Sequence, residues 1–145
     1  MERVHATCVM IDGHGVLLRG PSGSGKSDLA LRLLAAGHRL VADDGTDLRV
    51  RDGKVYAASP PGIAGLLEVR GVGVLAVGCV PEAVVRLVVD LVAPDEVERM
   101  PDAGVTCDVC GVDVARVALA PFEASAAAKV VMALRVATGS LAMAG

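Results

Sequence analysis

Aromatic side chains are nearly absent: the chain holds one Tyr, one Phe and no Trp in 145 residues. The core must therefore be built from aliphatic residues, chiefly Val, Ala and Leu. A planar base could stack on an aromatic ring only at Tyr56 or Phe122. The same scarcity removes the stacking platforms that single-strand nucleic-acid binders use. The net charge of −3 also argues against a nucleic-acid partner, which asks for a basic patch. No apolar run reaches the roughly 20 residues a membrane helix needs, since the greasiest stretch, 71–92, is broken by Glu82, Arg86 and Asp90. Met1-Glu2-Arg3 opens no signal-peptide pattern, so the expected compartment is the cytoplasm. Of the four cysteines, Cys8 and Cys79 sit in apolar runs and read as core. Cys107 and Cys110 form a C-x-x-C with no second pair and no nearby His, which argues against zinc. The pair also lacks the strand-to-helix turn of a redox motif. The length fits one domain, 1–145.

What is present is a glycine loop. Gly20-Pro21-Ser22-Gly23-Ser24-Gly25-Lys26-Ser27 satisfies G-x-x-x-x-G-K-[ST] at every fixed position. Glycines at 20, 23 and 25 let successive N–H groups turn toward one anion. A helix starting near Ser27 adds its positive end. Lys26 would reach the β- and γ-phosphates of a nucleotide, and the Ser27 hydroxyl would hold Mg²⁺. Val16-Leu17-Leu18 reads as a strand entering the loop. Residues 28–36 read as a helix leaving it, with Leu29, Leu33 and Leu34 on one face and Gly37 as its stop. The bland alternative is a chance Gly/Ser loop in a glycine-rich chain.

Strand signals dominate elsewhere. Residues 4–11 and 16–19 flank the turn Asp12-Gly13-His14-Gly15. If they form a hairpin with Ile11 facing Val16, residue 5 lies opposite residue 22. His5 then sits beside the phosphate loop rather than serving as a surface residue near a terminus. Arg39–Ala42 is a short strand ending in Asp43-Asp44-Gly45. Residues 48–51 and 55–58 flank Asp52-Gly53, a two-residue hairpin signal. Residues 66–69, 84–92 and 112–119 read as strands, with a bend at 70–73. Residues 94–100 read as a short charged helix or turn. Residues 123–138 read as a last, Ala-rich helix stopped by Gly139. The sum is an α/β domain with a mixed central sheet and few helices.

The acids follow from what phosphoryl transfer needs: a metal, phosphate donors and a proton acceptor. Asp43-Asp44 closes the strand after the loop's helix, whose end should open on the same crevice. Adjacent strand residues face opposite sides, so the two carboxylates share one task only if the strand has ended. We expect one of them, Asp44 first, to be a general base. The other orients it or holds the metal. The alternatives are a turn-forming Asp-Asp-Gly and an ordinary metal Asp of a hydrolytic NTPase. Glu68 is an acid within an apolar strand, which asks for a metal or a partner. A surface pair with Arg70 is the alternative.

His5, the glycine loop, Gly37-His38-Arg39-Leu40-Val41-Ala42-Asp43-Asp44 and Leu67-Glu68-Val69-Arg70-Gly71-Val72-Gly73 together resemble the HPr kinase/phosphorylase family in order and spacing, over residues 4–75. The resemblance implies a P-loop protein-serine kinase using ATP and Mg²⁺. Its acceptor would be HPr, the phosphocarrier of the sugar phosphotransferase system, or a nitrogen-related paralogue. It implies catalytic roles for His5, Lys26 and Asp44, with Asp43 assisting. It implies Mg²⁺ at Ser27 and Glu68, a reverse phosphorolysis yielding pyrophosphate, and a homo-oligomer, commonly a hexamer. Three departures stand out. The chain begins at the kinase domain, so no N-terminal regulatory domain is expected. Arg99 is the best candidate for the family's catalytic arginine. The stretch Leu119–Ser125 lacks the arginine and glycine of the family's Pro-Val-x-Pro-Gly-Arg-Asn run, so weak or lost phosphorolysis is expected. Two other readings stay open, a small-molecule kinase or NTPase and a non-catalytic nucleotide-sensing module.

Overall fold

Two Asp-Gly pairs set the first half of the sheet. Asp12-Gly13 and Asp52-Gly53 have positive φ at both positions, the two-residue turn whose twist matches that of paired strands. The computed structural model describes residues 1–144. In chain order it runs β1 (Glu2–Val4), β2 (Ala6–Ile11), β3 (His14–Arg19), α1 (Lys26–Ala35), β4 (Arg39–Ala42), β5 (Thr46–Arg51), β6 (Lys54–Ala58), β7 (Leu66–Val69), β8 (Gly73–Ala76), β9 (Ala83–Leu91), a 3₁₀ turn (Pro94–Glu96), β10 (Thr106–Val109), β11 (Val112–Leu119) and α2 (Ala126–Ala137).

The first hairpin corrects an expectation. Ile11 faces His14, not Val16, and Ala6 faces Arg19. Asp12 tolerates the left-handed conformation (φ 53°), so two residues suffice for the turn and His14 and Gly15 join the strand. Nor is 4–11 one strand. Val4 pairs with Thr46 while Ala6 pairs with Arg19, and His5 is the bend between them.

The main sheet is mixed, in the order β1-β5-β6-β9-β3-β2-β4. β9 is its hub. It pairs in parallel with β3 on one side. On the other it meets β6 at its start and β11, in parallel, along its length. β2 runs antiparallel to both β3 and β4, so β3 and β4 point the same way. Strands β3, β4, β9 and β11 therefore end at one edge, where α/β sheets place their sites.

Both faces of the central strands β2, β3 and β9 are largely buried, so these read as near-continuous apolar runs. Val16, Leu18, Leu87 and Val89 face one cluster with Leu29 and Leu33 of α1 and Val130 and Leu134 of α2. The intervening Leu17 and Val88 face a second cluster with Cys8, Val41, Val55 and Val114. α1 begins two residues earlier than expected, with Gly25 (φ 101°) before it. It ends as expected at Gly37 (φ 98°). The His38 and Gly37 N–H groups return to the Leu33 and Leu34 carbonyls, the Schellman closure. α2 starts at Ala126 rather than 123. Residues 94–100 hold one 3₁₀ turn.

β10 lies in a stretch that shows no strand pattern. Cys110-Gly111, with φ 51° and 83°, turns it into β11, so the C-x-x-C is a hairpin. Its cysteines are free. Burial, then the Glu2 carboxylate accepting its hydrogen bond, pushes the Cys110 thiol up to about 11.

Arg19 at the end of β3, Asp90 on β9 and Arg116 on β11 tie the parallel strands together. Asp90 accepts two hydrogen bonds from Arg19 (2.8 and 3.0 Å) and one from Arg116 (2.7 Å). Burial pushes its carboxyl up, but the guanidinium bonds outweigh this and hold it below its usual value. A depressed carboxyl stabilises the fold above the unfolded pKa of about 4 and loses that contribution as pH falls. Asp90→Asn should therefore melt below the unsubstituted protein at pH 7, and the gap should be narrower at about pH 3. Thermal unfolding at both pH values checks this. Leu33→Ala, at a fully buried position, should lose about 2–5 kcal/mol, read as a lowered urea midpoint.

Candidate active site

The phosphate loop lies between β3 and α1, at the edge where the parallel strands end. Gly23 and Gly25 have φ of 80° and 101°. A Cβ on Gly25 would lie 2.9 Å from Phe122 Cζ and 3.2 Å from Pro121 Cβ, so this position demands glycine twice over. Lys26 is 5% exposed. Its Nζ donates to the Gly20 carbonyl at 2.7 Å and the Pro21 carbonyl at 3.1 Å. A buried ammonium bonded to two neutral carbonyls keeps an uncompensated charge, which an anion in the loop would balance.

The strand end brings the acids in. Asp43 Oδ1 accepts from Ser27 Oγ at 2.8 Å and from Thr7 Oγ1 at 3.0 Å. Thr7 in turn accepts from the Asp44 N–H at 3.2 Å. Asp44 has φ 64°. The strand has ended, and this left-handed residue throws its carboxylate outward, 70% exposed. His5 joins it to the loop: Nδ1 lies 3.4 Å from Asp44 Oδ1 and Nε2 lies 3.3 Å from Ser22 Oγ. His5 thus stands beside Ser22 as expected, although the hairpin register is different, because the chain bends at residue 5.

Glu68 arrives on the β7–β8 hairpin. Leu67 and Val69 enter the cluster that buries α1, so alternation turns Glu68 away from that core. It lines a cavity of about 430 Å³ together with Lys26, Ser27, Asp43, Asp44 and Arg70. Among the described residues no ion pair joins Glu68 to Arg70, so the surface pair is not formed. Arg99 is exposed beyond the 3₁₀ turn and is not brought to this cavity. Ser27, Asp43 and Glu68 offer hard oxygen donors, the chemistry that suits Mg²⁺.

Thr7, Arg70 and Arg32 are additions the motifs did not single out for the site. Arg32 of α1 donates to the carbonyls of Pro121 and Glu123 and holds that segment, with Phe122, against the loop.

A glycine loop between strand and helix, facing an acid on the next parallel strand, defines a P-loop kinase fold. The family model of the HPr serine kinase C-terminal domain matches residues 1–142, and the chain belongs to this family. The HPr kinase/phosphorylase of Bordetella petrii is 41% identical over 127 residues, covering 80% of this chain and 41% of that protein. That of Clostridium botulinum is 47% identical over 73 residues, or 50% of this chain and 24% of the relative. The chain thus spans about a quarter to two-fifths of the length of these curated relatives. The Hpr(Ser) kinase/phosphatase structure from Coxiella burnetii superposes with a TM-score of 0.82 at 26% identity, covering 97% of this chain and 98% of that one. No helix among the described residues is long and apolar enough to cross a membrane.

Glu68→Gln should raise the Mg²⁺ concentration needed for half-maximal ADP binding, on the order of tenfold. A calorimetric titration checks this. An unchanged requirement would make Glu68 a solvated carboxylate with no metal role.

Proposed function

We propose that this chain transfers the γ-phosphoryl group of ATP to a serine hydroxyl of an HPr-type phosphocarrier protein. The observation that carries the reading is the exposed Asp44 carboxylate, held by His5 at the mouth of the phosphate-loop cavity. A metal-binding Asp of a hydrolytic NTPase belongs on the inward side, where Asp43 sits against Ser27. Asp44 instead faces out, where a hydroxyl on another protein can reach it.

The division of labour follows. Lys26 and the loop N–H groups hold the β- and γ-phosphates. Ser27, Asp43 and Glu68 are the residues that would hold Mg²⁺. That ion, when bound, neutralises charge developing on the phosphate oxygens. Asp44 accepts the serine proton as the hydroxyl oxygen attacks phosphorus and ADP departs. His5 orients Asp44. Arg70, already in the cavity wall, is the cation placed to steady the transferring group, the role sought at Arg99. In reverse, inorganic phosphate would take the phosphoryl group from phosphoserine to give pyrophosphate. The segment 119–125 holds no arginine, so this direction should be weak. The same reading places the protein in the cytoplasm. Exposed Val72, Val74 and Val77 suit an oligomer.

The test is transfer from γ-labelled ATP with Mg²⁺ to purified HPr from the same organism, beside HPr variants with single serines changed to alanine. Label should move to HPr and be lost with one serine. Label released solely as free phosphate would replace the kinase with an NTPase. In the same preparation, phosphoseryl-HPr with inorganic phosphate should release pyrophosphate far more slowly than the forward reaction runs. Comparable rates would show that the missing arginine is not required.

A further inference from the structure

Among the described residues the buried polar or charged side chains are Thr7, Lys26, Thr46 and Asp47. Lys26 belongs to the phosphate loop, Asp47 is held by Arg3, and Thr46 Oγ1 donates to the Ala6 carbonyl at 2.9 Å. Thr7 spends its hydroxyl on the two aspartates. A hydroxyl has one proton and two lone pairs. The Asp44 N–H can only donate, and it takes a lone pair at 3.2 Å. The proton is then left for Asp43 Oδ1 at 3.0 Å, so the hydroxyl is fixed in direction. The sheet explains why it is needed. The β2–β4 ladder ends at the pair Cys8–Ala42. Asp44, at φ 64°, has left that ladder, and its N–H bonds a side chain in place of a strand. Thr7 stands on the face of β2 from which Val9 and Ile11 enter the apolar cluster. Valine has nearly the same shape and suits a strand as well, so what threonine adds at this position is its hydroxyl.

We propose that Thr7 is a positioning residue for phosphoryl transfer: its hydroxyl sets the Asp43–Asp44 peptide so that the Asp44 carboxylate meets the acceptor hydroxyl. The inference rests on the reading of Asp44 as the base and names what aims it. Thr7 does not line the cavity, so it acts through the aspartates. Its bond to Asp43 keeps Oδ1 on the inward side, beside Ser27. Its bond from the Asp44 N–H fixes the peptide from which the left-handed turn departs. A non-glycine residue holds that conformation against a steric cost, and does so where its surroundings impose it. Without the hydroxyl, Asp43 keeps its bond from Ser27, while the Asp44 backbone loses the acceptor that holds it in the left-handed region. Misplacing a catalytic group by about 1 Å costs on the order of 10²-fold in rate. The phosphate cradle has its own bonds, from Lys26 to the Gly20 and Pro21 carbonyls, so nucleotide binding does not depend on Thr7.

The test compares Thr7→Val, Thr7→Ser and Thr46→Val with the unsubstituted protein. It reads kcat for transfer to HPr, the affinity for ADP with Mg²⁺, and hydrogen exchange at the Asp44 amide. Thr7→Val should lower kcat about 10- to 100-fold while ADP affinity stays within about threefold, which also shows that the variant is folded. Its Asp44 amide should exchange about tenfold faster or more. Thr7→Ser restores the hydroxyl and should bring kcat back to within about threefold, with slow exchange. Thr46→Val loses a buried bond that reaches neither aspartate, so it should lower the urea midpoint and leave kcat unchanged. Added to Asp44→Asn, Thr7→Val should cost less than about threefold more, because the two act as one unit. In a protein that transfers to HPr, an unchanged kcat in Thr7→Val, an equal loss in Thr46→Val, or a full further loss on top of Asp44→Asn would overturn the positioning role alone. No transfer to HPr by the unsubstituted protein would overturn the kinase reading, and the positioning role with it.

Discussion

The Asp43 carboxylate holds the two halves of the site in one geometry. Its Oδ1 accepts from Ser27, on the phosphate-loop helix, and from Thr7, on the strand between the two parallel ones. Thr7 is fully buried, so these bonds form in a medium where leaving any partner unmatched would be costly. Because Thr7 also receives the Asp44 N–H, the end of β4 is fixed against the loop. The left-handed turn at Asp44 follows from that fixation, and so does the outward aim of its carboxylate. One inward and one outward acid result from two consecutive aspartates at a strand end.

The sheet makes this arrangement possible. β2 is antiparallel to its neighbours and short, so β3 and β4 finish side by side although they are not adjacent. On the other flank β9 and β11 finish at the same edge, cross-tied through Asp90 to Arg19. Arg19 immediately precedes Gly20, so the root of the loop is held by a charge network while its tip stays glycine-rich. The two clusters that sandwich the sheet make its central strands rigid, and the site draws on four of their ends.

Local signals carried much of this. The glycine loop, the strand before it, the helix after it and the β4 end at Ala42 are all visible in residue order, because turn chemistry and helix stops act over a few residues. The sequence puts His5 beside Ser22 through a hairpin whose register is off by two residues. The four-residue Asp12–Gly15 turn ignored how readily Asp-Gly closes a turn alone. β10 stayed hidden because its turn is Cys110-Gly111, and a cysteine at positive φ carries no turn signal. Thr7 had no signal either. It is one polar residue in an apolar strand, and its role arises from a contact 36 residues away. Two residues from Glu68 in the chain, Arg70 reads in the sequence as its partner. Its place in the cavity wall depends on how the β7–β8 hairpin docks, which is a tertiary fact.

The central claim is that Asp43 and Asp44 do different work. Nucleotide affinity and phosphoryl transfer measured together on Asp44→Asn test it most directly. The account predicts that transfer to HPr falls about 10²- to 10⁴-fold while ATP with Mg²⁺ still binds nearly as tightly as before. Loss of nucleotide affinity in Asp44→Asn, or transfer that survives it, would contradict the assignment of the outward carboxylate as the base.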